Sequence, residues 1–140
     1  MIITTYNRSN YYKEFVKSLS RADIPEGTEV VFVDDCSTDP EIENLNAWIY
    51  CFSVFSGAHY VSNDVKGGIK KSLKTGFEYV EDCDLIINLD PDSIVRNDFI
   101  TELVKLHERF PNNLITGFEC TNKNEDGTPR HKTIGEGFVP

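Results

Sequence analysis

Asp84-Leu85-Ile86-Ile87-Asn88-Leu89-Asp90-Pro91-Asp92-Ser93 runs an apolar segment straight into two carboxylates one residue apart. An apolar run without alternation is typical of a strand buried on both faces of a parallel sheet. Ligands of open α/β sheets sit beyond the carboxyl ends of the strands, which is where Asp90 and Asp92 fall. In extended backbone residues i and i+2 point the same way, so both carboxylates can address one divalent cation. An all-oxygen donor set suits Mg²⁺ or Mn²⁺. The plainer alternative is a strand-end loop with solvated acids, which an isolated Asp-x-Asp does not exclude.

Outward from this run, strands and helices take turns. Met1 to Thr5 is a short strand, and Ser9-Asn10 is expected to cap a helix with Tyr11, Phe15 and Leu19 on one face. Pro25-Glu26-Gly27 breaks the chain, Glu29 to Val33 reads as a buried strand, and Asp39-Pro40 supplies a helix N-cap followed by a proline at the first helical position. The aromatic stretch from Trp48 to Phe55 fits neither helix nor strand periodicity and reads as core packing or as a sticky patch for a partner. His59 to Ser62 forms a third strand, and Ile69, Leu73, Phe77 and Val80 mark the inner face of a helix opened by Gly67-Gly68. After the Asp84 to Leu89 strand, Asp98 caps a helix with Phe99, Leu103 and Leu106 inward, and Leu114 to Phe118 makes a last strand. Such alternation predicts an α/β fold, a mostly parallel sheet with helices on both faces and right-handed crossovers.

Composition narrows the function classes. The chain has 140 residues, 39% hydrophobic and 26% charged, which fits a single domain over 1–140 with a core of its own. A net charge of −9 argues against nucleic acid as partner, since phosphate-backbone binders cluster Lys and Arg. Cys36, Cys51, Cys83 and Cys120 stand too far apart for a zinc motif or a dense disulfide framework, which favours a reducing cytoplasm. No apolar stretch approaches the roughly 20 residues of a membrane span, so any membrane association is left to a segment or partner outside these residues.

Three further strand ends belong with Asp90 and Asp92. They are Thr4-Thr5-Tyr6-Asn7-Arg8, Val33-Asp34-Asp35-Cys36-Ser37-Thr38-Asp39 and Ser62-Asn63-Asp64-Val65-Lys66-Gly67-Gly68. A parallel sheet gathers these ends along one edge, where a tyrosine, amides, hydroxyls, carboxylates and permissive glycines can line one crevice suited to a nucleotide. Each has a duller reading taken alone: Asp39 as a helix cap, Asn7 and Asn63 as turn residues, Gly67-Gly68 as a helix start.

In this combination and order the motifs resemble the family 2 glycosyltransferases of the GT-A fold, over about Ile2 to Phe110. The resemblance implies a nucleotide-sugar donor, commonly a UDP-sugar, bound with Mn²⁺ or Mg²⁺, and a carbohydrate, lipid or protein acceptor. It implies that Thr5, Tyr6 and Arg8 border the base, that Asp35 rather than Asp34 accepts from the uracil N–H, and that Asn63, Gly67 and Gly68 belong to the donor site. Asp90 would lie against ribose and metal, and Asp92 would be the principal metal ligand. Inversion at the anomeric carbon is implied as well.

Two departures stand out. The family often has glycine where this chain has Cys36, a swap that is strained if the position takes positive φ. A carboxylate base well downstream of the Asp-x-Asp is also implied, yet 48 residues follow Asp92. Glu119, Glu125, Asp126 and Glu136 are available, none in a recognisable motif. The expectation is therefore the donor half of a longer catalytic domain, able to bind donor but poor at transfer, with self-association as a homo-oligomer left open. His131 reads as a surface residue rather than a further metal ligand. A rival reading is a receiver-type phosphoacceptor, with Asp34-Asp35, Asp90, Thr116 and Lys132 in the appropriate order; it leaves Met1 to Arg21, Tyr6-Asn7-Arg8 and Asp92 unexplained. A nucleotide-sugar-binding module without turnover is a third reading.

Overall fold

The computed structural model describes residues 1–42, 44, 55–80 and 83–115. Among them the order is β1 (Ile2–Thr5), α1 (Ser9–Leu19), β2 (Glu29–Asp34), β3 (Gly57–Ser62), α2 (Gly68–Phe77), β4 (Asn88–Leu89) and α3 (Phe99–Arg109). The four strands form one sheet in the order β3-β2-β1-β4, every pair parallel. Parallel neighbours need crossovers, and α1 and α2 provide two of them. Thr5 of β1 stands opposite Asp34 of β2, and Asp34 opposite Ser62 of β3, so these strands end in one row.

Period-2 alternation divides the strand side chains between two faces. Ile3, Val30, Phe32 and Leu89 join Tyr12, Phe15, Val16 and Leu19 of α1 and Ile100 of α3 in one apolar cluster. Each such side chain, fully buried, contributes roughly 1.5–3 kcal/mol relative to exposure. Ile2 and Val33 face the other way, toward Gly76 of α2. Helices therefore cover both faces, as the alternation predicts.

The helices sit in a different phase from the one expected. In α1 the inward stripe is Tyr12, Phe15, Val16 and Leu19, while Tyr11 is 62% exposed. That phase buries four large side chains instead of three, and the Tyr12 ring meets Phe32 edge-on at 6.1 Å. Ser9 is already helical, with Arg8 at the cap position and no capping side chain. In α2 the expected inner residues Ile69 and Phe77 are 55% and 50% exposed, and Ser72 and Gly76 face inward. A Cβ on Gly76 would stand 2.7 Å from the Ile2 side chain. The helix rides so close to the sheet that glycine and a hydrogen-bonded serine take the inner positions.

Corrections also apply after Val80. β4 is two residues long and borders β1 alone among the described strands. Ile87 and Leu89 are buried and Ile86 and Asn88 exposed, the alternation of an edge strand rather than of one covered on both faces. Ile100, not Phe99, is the deepest residue of α3, although Phe99 and Leu103 pack on the core. Asp98 occupies the cap position of α3, yet its side chain pairs with Arg96 instead. Asp39 does cap as expected, accepting from the Glu41 N–H at 3.0 Å ahead of a helical turn at 40–42. Residues 45–54 and 116–140 lie outside the described residues, and with them Trp48, most of the expected last strand, and every candidate base; Leu114 is exposed.

Cys36 has φ 62°, in the left-handed region where a side chain other than glycine is strained. Cys36→Gly should accordingly stabilise the protein by about 0.5–1 kcal/mol, read as a rise of a few degrees in melting temperature. Gly76→Ala should do the reverse, lowering stability by roughly 1–3 kcal/mol through overpacking against Ile2.

Candidate functional site

The strand order reverses between β1 and β4: β1 leads outward to β2 and β3, and the chain then returns to β1's other side. Such switch points open a crevice between diverging loops. A cavity of about 370 Å³ lies there, bordered by Thr4, Thr5, Tyr6 and Arg8 after β1 and by Asp90, Pro91 and Asp92 after β4. Asp35 closes it from β2, with Lys66, Gly68, Ile69 and Ser72 from the β3–α2 segment. All four strand ends singled out in the sequence thus contribute to one cavity.

Asp35 is the brace of the site. It is 5% exposed, and its carboxylate accepts from the N–H of Gly67 at 2.9 Å, the N–H of Gly68 at 2.7 Å and the Asn63 amide at 2.9 Å. Burial alone would raise its pKa, but these donors, together with the Ser72 hydroxyl, outweigh it and hold the carboxyl below the usual carboxylate range. A carboxylate offers about four acceptor sites, and four donors from the chain fill them. The resemblance implies that Asp35 accepts from a base N–H; in the structure the residue borders the cavity and its carboxylate binds the Gly67-Gly68 loop.

Asn63 supports this brace and does not border the cavity. Its amide nitrogen also donates to Ser72 Oγ at 3.1 Å, and its carbonyl oxygen accepts from Thr75 Oγ1 at 3.0 Å. Gly67 likewise reaches Asp35 but not the cavity, whereas Gly68, at φ 75°, does border it. No residue with a Cβ adopts that φ without strain. Asp34 points to the opposite face, where its carboxylate accepts from Ser37 and, at 3.3 Å, from Ser62 Oγ. Burial, reinforced by Tyr60 and by the Asp34 charge, raises the Tyr12 phenol well above its ordinary pKa on that face.

Asn7 joins the β1 and β2 loops over about thirty residues of sequence. Its side-chain oxygen accepts from the N–H groups of Thr38 at 2.7 Å and Asp39 at 3.1 Å, and its own N–H donates to Ser37 Oγ at 2.9 Å. Its φ of 47° is one that asparagine tolerates.

On the rim, Arg8 forms an ion pair with Asp92. The Arg8 guanidinium, expected beside the base, therefore stands at the carboxylate end of the cavity. The Lys66 ammonium lies 3.9 Å from the centroid of the Tyr6 ring, over its face. Sequence reasoning passed over Lys66, as it did Thr4, Ile69, Ser72 and Pro91. Thr4 was legible from strand alternation, which turns it to the face shared with Val33, while Thr5 shares the face of Ile3 and Asp34. The buried Thr5 hydroxyl has no hydrogen-bond partner among the described residues.

Asp90 and Asp92 both border the cavity, as their spacing predicts, but no group of three His, Cys, Asp or Glu residues able to hold a metal is found among the described residues. Two carboxylates are nevertheless a sufficient protein share for Mg²⁺ or Mn²⁺ where substrate phosphates complete the shell. The donor chemistry fits such a cation.

The Asp35 brace carries a pH signature. A carboxyl whose folded pKa is depressed contributes stability that is present above its unfolded pKa of about 3.9 and lost as pH falls through the folded value. Asp35→Asn should therefore lower the melting temperature clearly at pH 7, and the gap to the native protein should be narrower at pH 3. Melting curves at the two pH values provide the check.

Comparison with known proteins agrees with this geometry. The family described as Glycosyl transferase family 2 matches residues 1–139. A poly(ribitol-phosphate) beta-N-acetylglucosaminyltransferase, TarS of Staphylococcus aureus, is 46% identical over 44 residues, which are 31% of this chain and 8% of that protein. A crystal structure of S. aureus TarS 1-349 superposes with a TM-score of 0.65 at 24% identity, covering 77% of this chain and 31% of that one. A mannosyltransferase of Pyrobaculum calidifontis, in complex with GDP-Man and Mn²⁺, superposes with a TM-score of 0.68 at 23% identity, covering 76% and 31%. The chain thus spans about a third of the length of these solved chains, whose GT-A fold it shares. With the match running across 1–139, this chain belongs to glycosyl transferase family 2.

Proposed function

We propose that this chain forms the donor-binding part of a glycosyltransferase that moves a sugar from a nucleotide-sugar, a UDP-sugar in the first instance, to an acceptor hydroxyl. The observation that carries the reading is the cavity at the β1/β4 switch point, which puts an aromatic ring, a positive-φ glycine and two carboxylates within reach of one ligand. Tyr6 offers the base a stacking face, and Gly68 lets the backbone approach the phosphates closely. Thr4 borders the same wall, with a hydroxyl able to donate or accept, and Thr5 borders it with its hydroxyl buried. A solved TarS 1-349 structure in complex with UDP, superposing with a TM-score of 0.60, and the GDP-Man complex of the mannosyltransferase support a nucleotide ligand.

Asp90 and Asp92 would hold the divalent cation, Mn²⁺ or Mg²⁺, with Arg8 released from Asp92. Bound there, the cation would supply charge neutralisation for the departing nucleoside diphosphate. The chain's own residues do the rest of the donor-side work. Asp35 and Asn63 hold the Gly67-Gly68 loop against the cavity, so the groups facing the donor are set before it binds. Preorganised groups aimed at developing charge lower a barrier more than flexible ones do. Inversion at the anomeric carbon is the stereochemistry we assign, with the acceptor's proton taken by a carboxylate such as Glu119, Glu125, Asp126 or Glu136. The receiver-type alternative loses its basis: Asp34 and Asp35 face opposite sides of the sheet, and the family match accounts for Met1 to Arg21.

UDP should raise the melting temperature in the presence of Mn²⁺, the shift growing with the logarithm of nucleotide concentration, and EDTA should abolish it. Asp92→Ala should remove the metal-dependent part while leaving the ligand-free stability within about 0.5 kcal/mol of the native protein's, since the Arg8 pair is solvent-exposed. Nucleotide binding unchanged by EDTA would refute the proposed role of Asp90 and Asp92.

A further inference from the structure

We propose that Lys66 sets the preference of this cavity for nucleoside diphosphates over nucleosides, by resting on the Tyr6 face and moving to the phosphates when a base takes its place. The proposal rests on the nucleotide-sugar reading above.

Four observations converge on it. The Lys66 ammonium stands 3.9 Å from the Tyr6 centroid, over one face of the ring, and both residues border the cavity. Of the two cations bordering the cavity, Arg8 is already paired with Asp92, whereas Lys66 has no carboxylate within ion-pair distance among the described residues. The acids are partly committed as well: Asp35 is filled by the Gly67 and Gly68 N–H groups and Asp92 by Arg8. In a chain of net charge −9, Lys66 is thus the cation in this cavity that an anionic ligand can recruit without breaking an ion pair.

The backbone beneath Lys66 is fixed on both sides. Lys71 Nζ donates to the Val65 carbonyl at 3.0 Å, and the next two residues donate to Asp35. Movement is therefore confined to the flexible four-carbon stem, which can swing its ammonium between neighbouring acceptors. Tyr6 and Gly68 border the same cavity, so both ends of that swing lie inside it.

The energetics give the swing a direction. An exposed cation–π contact is worth about two- to fivefold in an equilibrium. A charge-assisted hydrogen bond to a phosphate oxygen is worth about ten- to a hundredfold. A nucleoside displaces the ammonium and offers nothing in return. A nucleoside diphosphate displaces it and then gains its charge, so base and phosphate recognition are coupled through one side chain.

The test is titration of the full chain with uridine and with UDP at saturating Mn²⁺, by calorimetry and ligand-observed NMR, for the native protein, Lys66→Met and Lys66→Arg. Lys66→Met should bind uridine about two- to fivefold more tightly and lower the UDP-to-uridine affinity ratio about ten- to a hundredfold, and Lys66→Arg should behave as the native protein does. A UDP-to-uridine ratio unchanged in Lys66→Met, with native binding intact, overturns the role of Lys66 and leaves the nucleotide reading standing. Failure of the native chain to bind UDP at all overturns both. Lys66 is exposed, so loss of fold does not confuse the outcome.

Discussion

One buried carboxylate ties the site together. Asp35 leaves the end of β2 and takes the N–H groups of Gly67 and Gly68, and through Asn63 it also takes hold of α2 at Ser72 and Thr75. Without that charge, two backbone N–H groups at a helix start would lose their acceptor, and buried donors left unsatisfied cost about 1–3 kcal/mol each. Because Ser72 is drawn inward, α2 presents Ser72 and Gly76 to the sheet and approaches β1 and β2 closely. The position of the cavity wall follows from that approach.

The topology supplies the other half. β1 lies between β2 and β4, and the loops leaving β1 and β4 diverge at the point where strand order reverses. That divergence sets Tyr6 and Arg8 of one loop and Asp90 and Asp92 of the other around one cavity, although more than eighty residues separate them in sequence. Asn7 then locks the β1 loop to the β2 loop through Thr38 and Asp39. The rim itself is held by exposed ion-pair and cation–π contacts, which ligands can displace at small cost. A rigid floor under an exchangeable rim suits a site that binds and releases a ligand.

Much of this was legible in the residues. Apolar runs ending in Asp35, Asn63 and Asp90 marked the strand ends, and parallel alternation required those ends to share an edge. What failed was helix phase. Periodicity ranked Tyr11 with Phe15 and Leu19 because spacing counts apolar positions, not the volume they bury against Phe32. It placed Ile69 and Phe77 inward because no local signal reveals that Ser72 answers a buried carboxylate and that Gly76 allows contact with Ile2. Asp35 was legible as a member of the site; that the Gly67 and Gly68 N–H groups bond it was not, because no local signal shows them. Lys66 was invisible for a similar reason, since its significance lies in Tyr6, sixty residues earlier.

The most direct measurement is a crystal structure of this chain with UDP and Mn²⁺. The account predicts the diphosphate between Gly68 and the Asp90/Asp92 pair, the uracil on the Tyr6 ring, the Lys66 ammonium on a phosphate oxygen, and the Asp35 hydrogen bonds to Gly67 and Gly68 unbroken. Nucleotide bound on the Asp34 face of the sheet, or bound at the switch point with the metal held by neither Asp90 nor Asp92, would contradict it.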